Sequence, residues 1–188
     1  MKYLFLSMVL LLPLGALRAQ SLRSADAYYN RGNERYARGD YDGAIEDYDI
    51  AIIFDPRHAA AYNNRGSAWR EKGDYERAYA DFTTVIEINP RDAMAYYNRG
   101  VVCQKMDRLD EAINDFSKAL ELNPRMALAY GNRGLTRLLQ FKDAEAEADF
   151  ARTLKLNPRL RPALEEFINE IKRQRETKPQ GPPERTGG

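Results

Sequence analysis

The tripeptide Asn-Arg-Gly occurs four times in this chain, at Asn30, Asn64, Asn98 and Asn132, and consecutive copies are always 34 residues apart. A fixed period of that length marks a stacked repeat, in which each unit buries its apolar face against its neighbours. Other positions keep the same phase. A proline follows Asp55, Asn89, Asn123 and Asn157; alanine recurs at Ala44, Ala78, Ala112 and Ala146; an aromatic recurs at Tyr48, Phe82, Phe116 and Phe150. The units are therefore 25–58, 59–92, 93–126 and 127–160, with no insertion between them.

Each unit reads as two helices. In the first unit Tyr28, Gly32 and Tyr36 share one helical face, Gly39 and Asp40 interrupt it, and Ala44, Ile45, Tyr48, Ala51 and Ile52 form a second apolar stripe. Asp40 suits the N-cap of the second helix. Pro56 ends that helix, because the residue before a proline resists helical geometry. Gly32, Gly66, Gly100 and Gly134 fall inside the first helices, where glycine costs about 1 kcal/mol relative to alanine. Four such glycines predict close helix approach, with Ala44 and its equivalents as the facing residues.

This pattern resembles the tetratricopeptide repeat family over residues 25–160. The resemblance implies an all-α, right-handed solenoid of antiparallel helix pairs whose concave face is lined by the first helix of each unit. Residues 161–174 place Leu164, Phe167, Ile168 and Ile171 on one face after Pro162, and read as a capping helix with a polar outer face, the ninth helix of the domain. Asp143 and Glu147 stand where the first unit has Tyr41 and Ile45, which predicts looser packing of the last second helix. Residues 175–188 lack an apolar anchor and read as a disordered tail.

Residues 1–20 hold Lys2, an apolar run from Leu4 to Leu12, then Pro13 and Gly15, and no acid. That is the order of a secretory signal, with cleavage expected after Ala19, so that 1–19 is the signal peptide. The apolar stretch is shorter than the roughly 20 residues that a membrane span needs. The expected product is exported, periplasmic or secreted, with no stable membrane insertion after cleavage.

Charge and rare residues exclude several chemistries. Lys plus Arg is 29 and Asp plus Glu is 28, and no basic block interrupts the balance, which argues against nucleic acid as a partner. One cysteine excludes an internal disulfide and a multi-thiolate metal site, and one histidine excludes a two-histidine site. No nucleophile with a base and no glycine-rich phosphate loop appears. The chain is therefore expected to be no enzyme and to carry no cofactor or metal. Cys103 reads as a buried inert thiol and His58 as a surface linker residue.

Two further sets repeat with the units. Arg31, Arg65, Arg99 and Arg133 occupy the seventh position, and Asp47, Asp81, Asp115 and Asp149 the twenty-third. The chain turns back midway between them, which predicts an Arg–Asp ion pair between the helices of each unit; pairing with a neighbouring unit is the variant. The first helices also offer a groove lined by Tyr29, Asn30, Asn33 and Tyr36, by Asn63, Asn64, Ser67 and Arg70, by Tyr97, Asn98, Val101 and Gln104, and by Asn132, Leu135 and Leu138. It is polar and aromatic at its start and more apolar at its end.

Asn30, Asn64, Asn98 and Asn132 each stand two residues after a tyrosine and so point about 200° away from it on a helix. A primary amide both donates and accepts. With first helices about 10 Å apart, and an extended chain rising about 3.3 Å per residue, the row could meet a peptide about every third residue. It is similar to the asparagine ladder in the repeat domain of the enzyme that attaches N-acetylglucosamine to serine and threonine. On that reading alanine at Asn64 and Asn98 leaves the fold intact; the alternative is local bonding between neighbouring helices. The family's carboxylate clamp for acidic chaperone tails implies cations where this chain has Tyr29, Met94 and Asn98, and only Asn33 and Asn64 match it. The function expected is a non-catalytic scaffold that binds a protein or extended peptide through the concave face. The alternative is a structural or self-associating component of a cell-envelope assembly.

Overall fold

A computed structural model describes residues 14–177. Among the described residues the chain forms α1 (Leu14–Ala37), α2 (Tyr41–Phe54), α3 (Ala59–Glu71), α4 (Tyr75–Ile88), α5 (Ala93–Lys105), α6 (Leu109–Leu122), α7 (Ala127–Leu139), α8 (Asp143–Leu156), a single 3-10 turn (Pro158–Leu160) and α9 (Arg161–Thr177). No strand is present among them. Helix pairs α1/α2, α3/α4, α5/α6 and α7/α8 stack in chain order as an α-solenoid. The expected signal peptide falls largely on residues 1–13, which lie outside the described residues. The backbone of α1 is continuous from Leu14, so the first helix begins well before the unit boundary at 25.

Local chemistry sets the helix ends. The side chains of Asp40, Asp74 and Asp92 accept backbone N–H groups at the starts of α2, α4 and α5. Asp55, Asn89, Asn123 and Asn157, each before a proline, leave the helix with φ of −135°, −136°, −141° and −146°. The turn inside each pair needs a left-handed residue. Gly39 and Gly73 supply it without strain, whereas Asp107 and Phe141 adopt φ of 58° and 61°. The Phe141 ring lies 4.1 Å from the Arg175 guanidinium carbon.

The glycines do mark the closest approach, but the facing residues are the aromatics and not the alanines. A Cβ on Gly32 would stand 2.6 Å from the Tyr48 ring, on Gly100 2.8 Å from Phe116, and on Gly134 2.5 Å from Phe150. Tyr48, Phe82 and Phe116 are fully buried, each with its ring against the glycine of its own unit. Ala44, Ala78, Ala112 and Ala146 are buried elsewhere in the core.

The arginines bind both candidate partners at once. Arg65 donates to Asp81 at 2.9 and 2.6 Å, Arg99 to Asp115 at 2.8 and 2.8 Å, and Arg133 to Asp149 at 2.9 and 2.7 Å; Arg31 pairs with Asp47 in the same way. The remaining Nη1 reaches back to the preceding unit, from Arg65 to Asp49 at 2.5 Å, from Arg99 to Thr83 at 3.2 Å and from Arg133 to Ser117 at 3.0 Å. Each guanidinium also lies 4.8 to 5.8 Å from the ring of the tyrosine one turn earlier, Tyr28, Tyr62, Tyr96 or Tyr130. Burial opposes the charge on Arg65, but Asp81 and Asp49 outweigh it and hold the guanidinium more firmly protonated than usual. Burial pushes the Asp81 carboxyl up, and Arg65 only partly offsets this. Among the described residues no unit precedes that of Arg31, and its side chain is 52% exposed.

Helix α9 closes the array, with Leu164, Ile168 and Ile171 packed on Leu138, Ala146 and Phe150. Two expectations change here. Phe167, assigned to the buried face, is 57% exposed. The helix also runs through Thr177, so residues 175–177 of the expected tail are helical. Arg175 explains the extension, because it donates to Asp143 at 2.8 and 3.3 Å and to the Leu138 carbonyl at 3.3 Å. The rest of the expected tail, 178–188, lies outside the described residues.

Candidate ligand-binding groove

The first helices bring their polar side chains together at the junction of units one and two. Asn33, Tyr36, Tyr48, Asn64 and Ser67 line a cavity of about 280 Å³ there. Tyr48 enters from the second helix, which the sequence reading missed. The signal was present, since Tyr48 stands where the other units have Phe82, Phe116 and Phe150. Its ring fills the core and its hydroxyl reaches the groove, donating to Asn33 Oδ1 at 2.9 Å. Burial pushes the Tyr48 phenol up to about 12, so it remains a donor at neutral pH.

The amides form a chain that runs along the array. Asn64 Nδ2 donates to Asn33 Oδ1 at 2.7 Å and to the Tyr29 hydroxyl at 3.2 Å. Asn63 Nδ2 donates to Asn64 Oδ1 at 3.0 Å, and Asn98 Nδ2 donates to Asn63 Oδ1 at 3.0 Å. Asn132 Nδ2 donates to the Tyr97 hydroxyl at 3.1 Å. Three of the four row asparagines thus bridge to the preceding first helix, and Asn98 is buried. Asn30 stands exposed on α1, with no preceding unit beside it among the described residues. Asn33 Oδ1 accepts two of these bonds, which leaves its Nδ2 as the donor available to the cavity.

The other predicted groove residues divide by unit. Burial raises the Tyr36 and Tyr97 phenols, and Arg70 lies near both. Arg70 itself pairs with Glu71 at 2.9 Å. Ser67 donates to the Asn63 carbonyl at 3.0 Å, and Gln104 to Thr136 at 3.1 Å. At the far end Val101 and Leu135 are half-buried and Leu138 is buried, while Met94, weighed above only as a clamp position, and Leu128, which the sequence reading passed over, are both exposed at the second position of their units.

His58 is not a surface linker. Its Nδ1 accepts from the Ala61 N–H at 3.1 Å and caps α3, its Nε2 stands 3.5 Å from Asp26, and its ring rests 4.9 Å from Tyr29. Cys103 is fully buried, and burial pushes its thiol up to about 12. Among the described residues no three His, Cys, Asp or Glu side chains come together as a metal site, and no helix is long and apolar enough to cross a membrane.

Comparison with known proteins agrees with this architecture. A sequence profile of the tetratricopeptide repeat matches residues 93–126, and a second profile of the same repeat matches 14–56 and 29–90. No curated protein gave a match. Among solved structures, MamA 41-end from Desulfovibrio magneticus RS-1 superposes with a TM-score of 0.68 at 23% identity, over 71% of this chain and 76% of that one. The Arabidopsis OM64 TPR domain gives 0.61 at 27% identity, over 63% of this chain and 98% of that one. The first TPR of Spaghetti (RPAP3) bound to HSP90 peptide SRMEEVD gives 0.61 at 26% identity, over 62% and 93%. The 34-residue phase, the glycine-to-aromatic packing of each helix pair and these matches agree, and the chain belongs to the tetratricopeptide repeat family.

Proposed function

We propose that this chain is a non-catalytic scaffold that holds an extended peptide, or an extended segment of a protein partner, along its concave face. The observation that carries this reading is the cavity at Asn33, Tyr36, Tyr48, Asn64 and Ser67, where a built network leaves the Asn33 amide N–H open to a ligand. A backbone carbonyl satisfies such a donor. The RPAP3 repeat domain, solved with an HSP90 peptide, supports the mode by analogy. Tyr29, Met94 and Asn98 lack the cations that an acidic tail needs, so a different peptide class fits here. The composition of residues 1–19 supports export, so the partner is to be sought outside the cytosol; recovery of a protein that begins at Gln20 is the check, and an intact Met1 form in the membrane overturns it.

The test uses an immobilised library of unstructured 12-residue peptides, probed with the wild type and with a Tyr36→Ala/Ser67→Ala variant of unchanged circular dichroism. The selected peptides should bind the variant at least tenfold more weakly. Equal binding by both proteins moves the ligand surface away from the groove.

A further inference from the structure

We propose that a notch at Gly131 is the specificity pocket of the groove and takes one aliphatic side chain, Leu, Ile, Val or Met, of an extended peptide. This rests on the concave-face reading above. The fifth position of each unit carries Tyr29, Asn63 and Tyr97 in the first three units, and each accepts a hydrogen bond from the row asparagine of the next unit. The fourth unit has Gly131, and a cavity of about 90 Å³ opens above it between α7, α8 and α9. Gly131 and Thr153 form its floor, and Leu128, Leu135, Leu164 and Phe167 its walls and rim.

The fold does not need this glycine. Glycine is the poorest helix former after proline, and Gly134 in the same helix is accounted for by Phe150, only 2.5 Å from where its Cβ would lie. A Cβ on Gly131 would meet nothing closer than Thr153 at 3.6 Å, an ordinary contact. The volume lies between the roughly 10–15 Å³ that holds one water and the roughly 150 Å³ cavity that admits benzene, the scale of one aliphatic side chain. Leu128, 54% exposed, gives it an apolar rim, and no charged side chain lines it.

Hydrogen-bond complementarity fixes the rest of the occupant. The open donor of the groove, Asn33 Nδ2, stands at the cavity between units one and two. From Asn33 in unit one to Gly131 in unit four is three unit spacings, about 30 Å, which corresponds to about nine residues of extended chain. The ligand is a peptide whose aliphatic residue lies about nine residues from a backbone carbonyl that meets that donor. Residues 178–188 hold no aliphatic side chain larger than proline, so the tail of this chain is not that peptide.

The probe is N-acetyl-leucine methylamide, titrated into protein carrying ¹³C-labelled leucine methyls, with the alanine and aspartate analogues as controls. The expected result is shifts at Leu128, Leu135 and Leu164, with affinity about tenfold above the alanine analogue. Those shifts should vanish in Gly131→Tyr, which restores the residue of units one and three, and weaken in Gly131→Ala, which keeps the fold should the larger change disturb it. Equal response to the leucine and alanine probes, or unchanged affinity in folded Gly131→Ala, overturns the proposal. Concentration-dependent shifts abolished by Ile53→Asp, a change at a residue 75% exposed, assign the notch to a second copy and also overturn it. Library peptides that respond to Tyr36→Ala/Ser67→Ala and ignore Gly131→Tyr defeat the notch alone. Peptides that ignore the groove variant while the leucine probe still enters defeat the concave-face reading alone.

Discussion

Replacing Arg65 by methionine removes a cation that bonds two carboxylates at once, Asp81 in its own unit and Asp49 in the preceding one. Asp81 is the partner that matters, because its side chain is 6% exposed and receives two charge-assisted bonds, at 2.9 and 2.6 Å. Leaving one member of a buried pair without the other typically costs about 3–5 kcal/mol. The second partner, Asp49, is 49% exposed, and losing its contact adds less than about 1 kcal/mol. Methionine keeps most of the apolar stem, so a loss of about 3–4 kcal/mol is expected, a large part of the roughly 5–15 kcal/mol that holds a domain together. Adding Asp81→Leu removes the stranded carboxylate and should return most of the loss, giving a coupling of about 2–3 kcal/mol by urea denaturation. The pH dependence has a definite sign. Burial already raises Asp81 above the ordinary carboxylate value of 3.8, and without Arg65 it rises further. A raised acid holds its proton more tightly when folded, so stability falls as pH climbs above the unfolded value. The Arg65→Met deficit should therefore be smallest below about pH 4 and grow toward neutrality. A coupling under about 0.5 kcal/mol, or a deficit independent of pH, refutes the reasoning. Arg31→Met is the control. Asp47 keeps Arg35 at 3.3 Å, and Arg31 lacks an inter-unit partner, so its loss should be distinctly smaller.

Three further outcomes are expected. Asn98→Ala should destabilise by about 1 kcal/mol, because it strands Asn63 Oδ1 in a buried bridge; an unchanged melting temperature would restore the free-row reading. Gly134→Ala should destabilise, since an overpacking cost of about 1–3 kcal/mol against Phe150 at 2.5 Å exceeds the helix-propensity gain of about 1 kcal/mol. Its neighbour Gly131→Ala should stabilise, and equal signs in denaturation would count against this packing argument. Cys103, with its thiol pushed up to about 12, should resist a maleimide at pH 8 in the native protein and react only on unfolding; native labelling as fast as in urea refutes its burial.

Much of this protein is legible from covalent spacing alone. The 34-residue phase defines the units, the residue before each proline ends each second helix, and the Arg–Asp spacing brings seventh and twenty-third positions face to face across a single turn. These are contacts within one helical pair, whose geometry a short turn leaves little freedom to vary. Contacts between pairs depend on how each helix is rotated against the next, and single-unit periodicity does not encode that rotation. The Asn64 to Asn33 and Asn98 to Asn63 bonds link residues 31 and 35 apart, and an asparagine row free to meet a peptide would have the same sequence. The glycines announced close approach, but only the packed pair decided that an aromatic ring and not an alanine lies against them. The end of the array was the least legible part. There Arg175 extends α9 by bonding Asp143, and Phe167 turns outward beside Gly131. Those positions break the 34-residue phase, so their orientation is decided by the packing of one helix on the α7/α8 pair.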